Sequence, residues 1–113
     1  MLVRARFTAF KYRLPDFLMA TTDPEGEEYN PDAGAWKKSL LGYLDQFEFQ
    51  SLEIGEVEAV ADDAPLCRVA FRANFAQKGT INLLTLCEQS TFRRVNGAWL
   101  YAQGHVNYEA QSL

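Results

Sequence analysis

Metal ligands are scarce in this sequence of 113 residues. It contains two cysteines, Cys67 and Cys87, no Cys-x-x-Cys pair, and His105 as its one histidine. A structural zinc site takes four Cys or His ligands, so we predict no metal site and no cofactor. The strand pattern described below places the two cysteines on opposite faces of a sheet, and we therefore predict free thiols.

Basic residues are too few for a nucleic-acid-binding surface. Lys and Arg number 11 against 15 Asp and Glu, which gives a net charge of −4, whereas phosphate binding needs a basic footprint. No segment approaches the roughly 20 apolar residues of a membrane span, and no basic and apolar leader with a cleavage site is visible. We predict a cytoplasmic protein with neither a nucleic-acid nor a membrane partner.

What the sequence does contain is typical of a globular domain. Hydrophobic residues make up 48% of the chain and charged residues 23%, which are ordinary proportions for a globular protein. The length suits one hydrophobic core rather than two. We predict a single domain over residues 1–113.

Helical patterns occupy the first part of the chain. The predicted helices are Met1–Arg13, Asp16–Ala20 after Pro15, and a helix capped by Asp32 that runs to about Gln46. The first helix starts without a capping residue, so we expect the natural domain or its relatives to extend further toward the N terminus. The Thr21–Asp32 segment is predicted to be a solvated acidic loop.

Strand patterns with short turns occupy the rest. The predicted strands are Phe47–Ala61 (bent or bulged near Gly55), Leu66–Gln77, Thr80–Val95 and a strand that follows Asn96 and Gly97, with a turn at Asp62–Pro65 and a tail at Asn107–Leu113. This order predicts an α+β fold, in which N-terminal helices pack on a curved antiparallel sheet of about four strands. A strongly curved sheet that is closed by helices has the shape of a cone, and a cone of this kind can enclose a pocket.

The turn at Asn96–Gly97 predicts a register for the last hairpin, because a type I′ turn needs positive φ at both central residues. Counting outward places Phe92 opposite Tyr101 and Glu88 opposite His105, all on the face toward the helices.

A two-residue turn at Lys78–Gly79 would likewise place Val69 opposite Glu88. A one-residue slip, or a bulge for which Gly104 is the candidate, would exchange the two faces.

Glu88 is the first candidate for a functional residue. On an apolar inner face a carboxylate must be paired or protonated, because burying a lone charge is costly. Arg4 or Arg6 on the first helix, or His105, can supply the partner. The pairing can be purely structural, as an ion pair between helix and sheet. Alternatively, Glu88 and His105 form an acid–base dyad in a pocket.

Other polar and aromatic residues share the predicted inner face. The candidate ligand-binding residues are Arg6, Glu88, Ser90, Trp99, Tyr101 and His105. The alternative for the aromatic ones is a filled core. Arg94 opposite Trp99 predicts a cation–π pair.

The outer face carries Arg68, Arg72 and Arg93, which form either a basic patch for an acidic partner or a solvated surface. This face is too polar for a large obligate interface, so we predict a monomer or a weak homodimer.

Several motifs resemble those of the YchJ-like family. The E-x-S-x-F…G-x-W-x-Y signature of that family matches Glu88, Ser90, Phe92, Gly97, Trp99 and Tyr101. Its LMRSRYxAF opening resembles residues 2–10, and its YLxxT segment matches Phe17, Leu18 and Thr21. The resemblance implies a nuclear-transport-factor-2-like fold, also called cystatin-like, over nearly the whole chain.

The resemblance implies a fold but no particular activity. Family members usually carry zinc-binding SEC-C motifs beside this domain, and two cysteines cannot form one. Zinc is therefore not carried over.

Three functions follow as hypotheses. The first is a module that binds an unknown small molecule or protein through a pocket around Glu88. The second is a small isomerase or dehydratase that uses Glu88 with His105, by analogy with other proteins of this fold. The third is a structural remnant that acts within a larger assembly.

Overall fold

Helices and strands follow one another in the predicted order in the computed structural model, which describes residues 2–59, 66–81 and 83–110. The helices in this part of the chain are α1 (Leu2–Lys11), α2 (Pro15–Ala20) and α3 (Ala33–Leu44). The strands are β1 (Phe47–Ala59), β2 (Leu66–Gln77), β3 (Leu83–Val95) and β4 (Ala98–Ala110). They form one antiparallel sheet in the order β1-β2-β3-β4. The α+β fold class is confirmed.

Local sequence signals account for the helix boundaries. Pro15 occupies the first turn of α2, where its missing N–H costs nothing. The Asp32 carboxylate accepts a hydrogen bond from the Ala35 N–H at 3.1 Å and caps α3 as predicted. β1 has irregularities between Phe49 and Ser51 and around Gly55, the second of which was predicted. The turn predicted at residues 62–65 lies outside the described residues.

The last hairpin has the predicted turn but a longer second strand. Asn96 and Gly97 have φ angles of 50° and 82°, so the type I′ turn is confirmed. The predicted tail from Asn107 was wrong as far as residue 110, because β4 continues to Ala110 and pairs with β3 there.

The register between β2 and β3 differs by two residues from the prediction. Phe71, not Val69, lies opposite Glu88. A turn does form at Lys78–Gly79, where the Thr80 N–H donates to the Gln77 carbonyl at 3.2 Å. The connection is nevertheless longer than the predicted two-residue loop, because the pairing of β2 with β3 starts at Ala76 and Leu83. Since side chains alternate with a period of two, this shift leaves every residue on its predicted face.

A bulge at Ala102 changes the face of the second half of β4. Phe92 pairs with Tyr101, but Thr91 pairs with Gln103, so Ala102 is the extra residue. The predicted bulge position at Gly104 was wrong by two residues.

The bulge overturns the predicted Glu88–His105 dyad. Glu88 lies opposite Val106, whereas His105 lies opposite Gln89 on the outer face and is exposed. One extra residue reverses the alternation of the strand, which is the physical reason for the difference.

The acidic loop is partly buried against β4, contrary to the prediction of a solvated loop. Thr22 pairs with Tyr101 in a parallel bridge, through hydrogen bonds from Asp23 N to Tyr101 O and from Tyr101 N to Thr21 O, each 2.8 Å. Alternation along this short segment turns Thr22 toward the helices. Asp23 turns the other way, toward Arg93 on the outer face.

Arg93 is therefore part of an ion pair and does not belong to a free basic patch. It donates to the Asp23 carboxylate at 2.6 and 2.7 Å and pairs with Glu25 at 2.5 Å. Arg68 and Arg72 are exposed on the same face.

Two apolar clusters lie between the helices and the sheet. The first consists of Ala9, Leu18, Leu44, Phe49 and Phe75. The second consists of Val3, Val69 and Phe92. Because Val3 and Ala9 both lie on α1, this helix spans the distance between the two clusters.

Candidate functional site

A cavity of about 530 Å³ lies between the helices and the inner face of the sheet. Its volume falls in the range of about 300–1,000 Å³ that is typical of small-molecule sites. Apolar side chains form most of its wall, among them Phe7, Phe49, Leu52, Phe71, Leu86 and Phe92. The described side chains therefore leave space between the helices and the sheet.

Arg6 lies at one end of this cavity and is held by the α2 segment. Its Nη1 donates to the Leu18 carbonyl at 3.1 Å and to the hydroxyls of Thr21 at 2.7 Å and Thr22 at 3.4 Å. Its guanidinium carbon lies 4.6 Å from the centre of the Tyr101 ring, which is a cation–π contact. Burial lowers the pKa of Arg6 to about 10, so it remains charged at neutral pH.

The other two nitrogens of Arg6 form no hydrogen bond with described residues. Its hydrogen bonds to described residues all leave from Nη1. No fully buried side-chain nitrogen or oxygen in the described residues lacks a partner, so Nε and Nη2 must remain accessible. Since Arg6 lines the cavity, these two donors are available to a bound molecule.

Glu88 lies at the same end of the cavity, on β3. Burial raises the pKa of Glu88. The Ser90 hydroxyl, which donates to Oε2, opposes this shift, as do the Arg6 charge and a hydrogen bond from Tyr101. Glu28, which also lines the cavity, adds to the shift. Desolvation therefore outweighs the stabilising partners of the carboxylate.

Arg6 is the cation that acts on Glu88, but the two groups do not touch. Among the described residues, no ion pair joins them. Arg4, the other predicted partner from α1, is exposed. The positive and negative groups thus share the end of the cavity without neutralising each other directly.

Tyr101 and Gly104 complete this end, which we call the polar pole: Arg6, Glu88, Ser90, Tyr101 and Gly104. Burial raises the pKa of Tyr101, so its hydroxyl stays protonated and can donate. Gly104 lies opposite Ser90. A Cβ at this position would lie 2.5 Å from the Tyr101 hydroxyl and 2.7 Å from the Glu88 carboxyl carbon.

Replacement of Gly104 by Ala should therefore displace the Glu88 and Tyr101 side chains without unfolding the protein. Both overlaps involve the ends of side chains that can move, and we expect a cost of roughly 1–2 kcal/mol. Carbon-13 NMR of the Glu88 carboxyl group should show a changed chemical shift and a changed pKa. Gly42→Ala is the matched control, because no atom lies within 4 Å of the Cβ it would add. An unchanged Glu88 signal in Gly104→Ala would contradict this geometry.

Four of the six predicted ligand-binding residues line the cavity: Arg6, Glu88, Ser90 and Tyr101. Trp99 does not, because it lies beside the hairpin turn, 37% exposed, where Arg94 stacks on it at 5.6 Å. This cation–π pair is the predicted one. His105 is outside the cavity on the opposite face of the sheet.

Two residues of the cavity wall had no signal in the sequence. Thr22 and Glu28 reach the cavity because the segment that carries them pairs with β4, and no periodic pattern predicts that pairing. Gly104 did carry a signal, since a glycine inside a strand often marks a place where another group approaches the backbone closely. The prediction interpreted this glycine as a bulge instead.

Comparison with known proteins identifies the family. The sequence model of a protein family, described as the middle NTF2-like domain of YchJ, matches residues 1–104. The chain belongs to the YchJ-like family. This agrees with the resemblance of residues 88–101 to the family signature, three of whose residues, Glu88, Ser90 and Tyr101, lie in the polar pole.

Similar sequences agree with this family, and a similar solved structure agrees with this fold. The UPF0225 proteins of Corynebacterium efficiens and Corynebacterium glutamicum are each 35% identical to the chain. The alignments cover 93% and 94% of the chain and 71% and 74% of those proteins. The solution structure of a SEC-C motif containing protein from Rhodopseudomonas palustris has a TM-score of 0.75 at 23% identity, covering 92% of this chain and 74% of that one.

The described residues contain no group of three or more His, Cys, Asp or Glu side chains placed to hold a metal ion. Nor does any helix in this part of the chain have the length and apolar character needed to cross a membrane.

Proposed function

We propose that this YchJ-like domain is a small-molecule-binding module whose ligand has an apolar body and an oxygen-bearing head. The single observation that carries the proposal is the cavity of about 530 Å³ that has an apolar wall and a polar pole at one end. The body would lie against the aromatic and aliphatic side chains. The head would lie at the polar pole, within reach of Arg6.

Two features of the pole support binding over a purely structural role. Arg6 uses one nitrogen to hold the α2 segment and has two donors left. A structural ion pair between α1 and β3 would bring Arg6 and Glu88 into contact, and among the described residues they form no such pair. Specific sites commonly combine a large apolar wall with a few such polar groups.

A second candidate function is acid–base catalysis. Of the predicted pair Glu88 and His105, it rests on Glu88 alone. Its pKa is raised by burial, as is common for catalytic carboxylates. Tyr101 donates from the same pole. His105 contributes nothing to this candidate, since it lies on the other face. Catalysis would be favoured over binding if the wild type converts a bound ligand and Glu88→Gln does not.

Filling the cavity tests the binding proposal. Ala73 lies on the inner face of β2 and lines the cavity, so Ala73→Phe should occupy the space meant for the ligand body. With 3-phenylpropan-1-ol as the probe, we expect NMR titration of the wild type to shift amide signals around the pole. In Ala73→Phe the affinity should fall at least tenfold, about 1.4 kcal/mol.

The matched control is Ala70→Phe, which adds the same side chain to the same strand on its outer face. It should bind the probe as the wild type does. Equal binding by the wild type and Ala73→Phe would overturn the proposed function.

A further inference from the structure

The polar pole holds a cation and a carboxyl group that form no ion pair with each other in the described residues. Arg6 offers donors only, and ionised Glu88 offers acceptors only. The two face the same cavity without an ion pair between them in the described residues. A ligand head between them must accept hydrogen bonds from Arg6. It must also fit the protonation state of the Glu88 carboxyl group.

We propose that this head is a carboxylate and that Glu88 takes up one proton when the carboxylate binds. The proposal rests on the proposed function, of which it names the ligand class: a monocarboxylate with an apolar body. The Nε and Nη2 edge of a guanidinium matches the two oxygens of a carboxylate in a paired hydrogen bond. A carboxylate would use both free donors of Arg6 at once.

Proton uptake follows from placing two carboxyl groups at one site. Two carboxylates in contact do not both ionise, and they share one proton. The proton comes from solvent and becomes the hydrogen of a bond between Glu88 and the ligand, and no covalent bond of the ligand changes. The charges then balance, because the ligand carboxylate neutralises Arg6 and the protonated Glu88 is uncharged.

The groups that surround Glu88 decide which carboxyl group holds the proton. Arg6 from α1, Ser90 from β3 and Tyr101 from β4 favour its charged form, whereas burial and Glu28 from the loop after α2 favour its neutral form. Burial and Glu28 outweigh the groups that favour the charged form, since the pKa of Glu88 is raised. A ligand carboxylate adds one more negative charge to this balance. Tyr101 stays protonated, because burial and Glu88 raise its pKa.

The pH dependence of binding tests the proposal with a matched pair of probes, 3-phenylpropanoate and 3-phenylpropan-1-ol. Above the pKa that Glu88 has in the free protein, the affinity for the acid should fall tenfold for each pH unit, because each binding event takes up one proton. The affinity for the alcohol should not change with pH. Calorimetry in two buffers of different ionisation enthalpy should give an uptake that approaches one proton for the acid and none for the alcohol.

Glu88→Gln tests the identity of the proton acceptor. The amide imitates protonated Glu88, so this variant should bind the acid without a pH dependence and without proton uptake. It should also bind the acid more tightly than the wild type at the upper end of the pH range. The control is Glu53→Gln, an exposed residue of β1 outside the site, which should keep the wild-type slope.

The outcomes separate the two proposals. If the alcohol binds in the cavity while the acid does not bind, or binds with no pH slope in the wild type, the carboxylate inference is wrong and the binding function stands. If Glu88→Gln keeps the wild-type slope, Glu88 does not take up the proton and the inference is again wrong. If neither probe binds the wild type, the proposed function itself fails.

Discussion

Replacement of Asp23 by Asn is expected to lower the free energy of unfolding by roughly 3 kcal/mol at pH 7. The Asp23 side chain is 2% exposed and accepts hydrogen bonds from Arg93 Nε and Nη2 and from the Glu25 backbone N–H. An Asn amide would point donor hydrogens at the guanidinium. The same segment carries the bridge from Thr22 to Tyr101, so its loosening should also disturb the cavity wall.

The pH dependence of stability gives this prediction a second measurement. The hydrogen bonds from Arg93 hold the pKa of Asp23 below its ordinary value. A carboxyl group whose pKa is lower in the folded than in the unfolded state stabilises the fold fully above the unfolded pKa of about 4. This contribution is lost as the pH falls through the lower folded pKa. Urea unfolding should show the loss in the wild type and not in Asp23→Asn.

Glu25→Gln is the matched control, because Glu25 pairs with the same Arg93 but is 77% exposed. Exposed ion pairs contribute little, so we expect a cost below about 1 kcal/mol. Equal losses in the two variants would show that burial does not set the strength of the Asp23 pair.

Phe75→Ala should destabilise the protein by about 4 kcal/mol, whereas Phe71→Ala should cost only about 1–2 kcal/mol. The two side chains lie on the same face of β2, four residues apart. Phe75 is 1% exposed and packs between Phe47 and Phe49, with ring centres 5.3 and 5.5 Å away. Its removal leaves a new void in a filled part of the cone.

Phe71 is half-buried and already borders the cavity, so its removal enlarges an existing space. The cavity component of the cost is then largely absent. Denaturant unfolding of both variants, with unchanged slopes, would measure the difference. Similar losses for Phe71→Ala and Phe75→Ala would mean that the cone is filled around Phe71 as well, which contradicts the hollow arrangement on which the binding proposal depends.

Local signals in the sequence were sufficient to predict the fold class and to predict which residues of β2 and β3 face the helices. The cap at Asp32 and the turn at Asn96–Gly97 depend on residues close together in the chain, and such signals are visible without a structure. The faces of β2 and β3 were also predicted correctly despite the wrong register. A shift of two residues preserves the alternation of side chains, so Glu88 and Ser90 were placed beside the helices.

The features that only the tertiary structure decided are those that depend on distant segments. The Ala102 carbonyl accepts a hydrogen bond from the Glu27 backbone N–H at 3.3 Å, and Gly26 packs against the same carbonyl. The bulge in β4 thus accompanies a contact between segments about 75 residues apart, and no local pattern in either segment indicates it.

That single extra residue separated His105 from Glu88, placed Val106 opposite Glu88 instead, and turned Gly104 toward the polar pole. The alternation of side chains therefore placed Glu88, Ser90 and Tyr101 on the inner face, whereas it did not place Gly104 there. Their neighbours were decided by packing, because one inserted residue reverses every later position on a strand. Whether the cone is filled or hollow was decided in the same way, since it depends on how far α1 lies from the sheet, a distance that side-chain alternation does not encode.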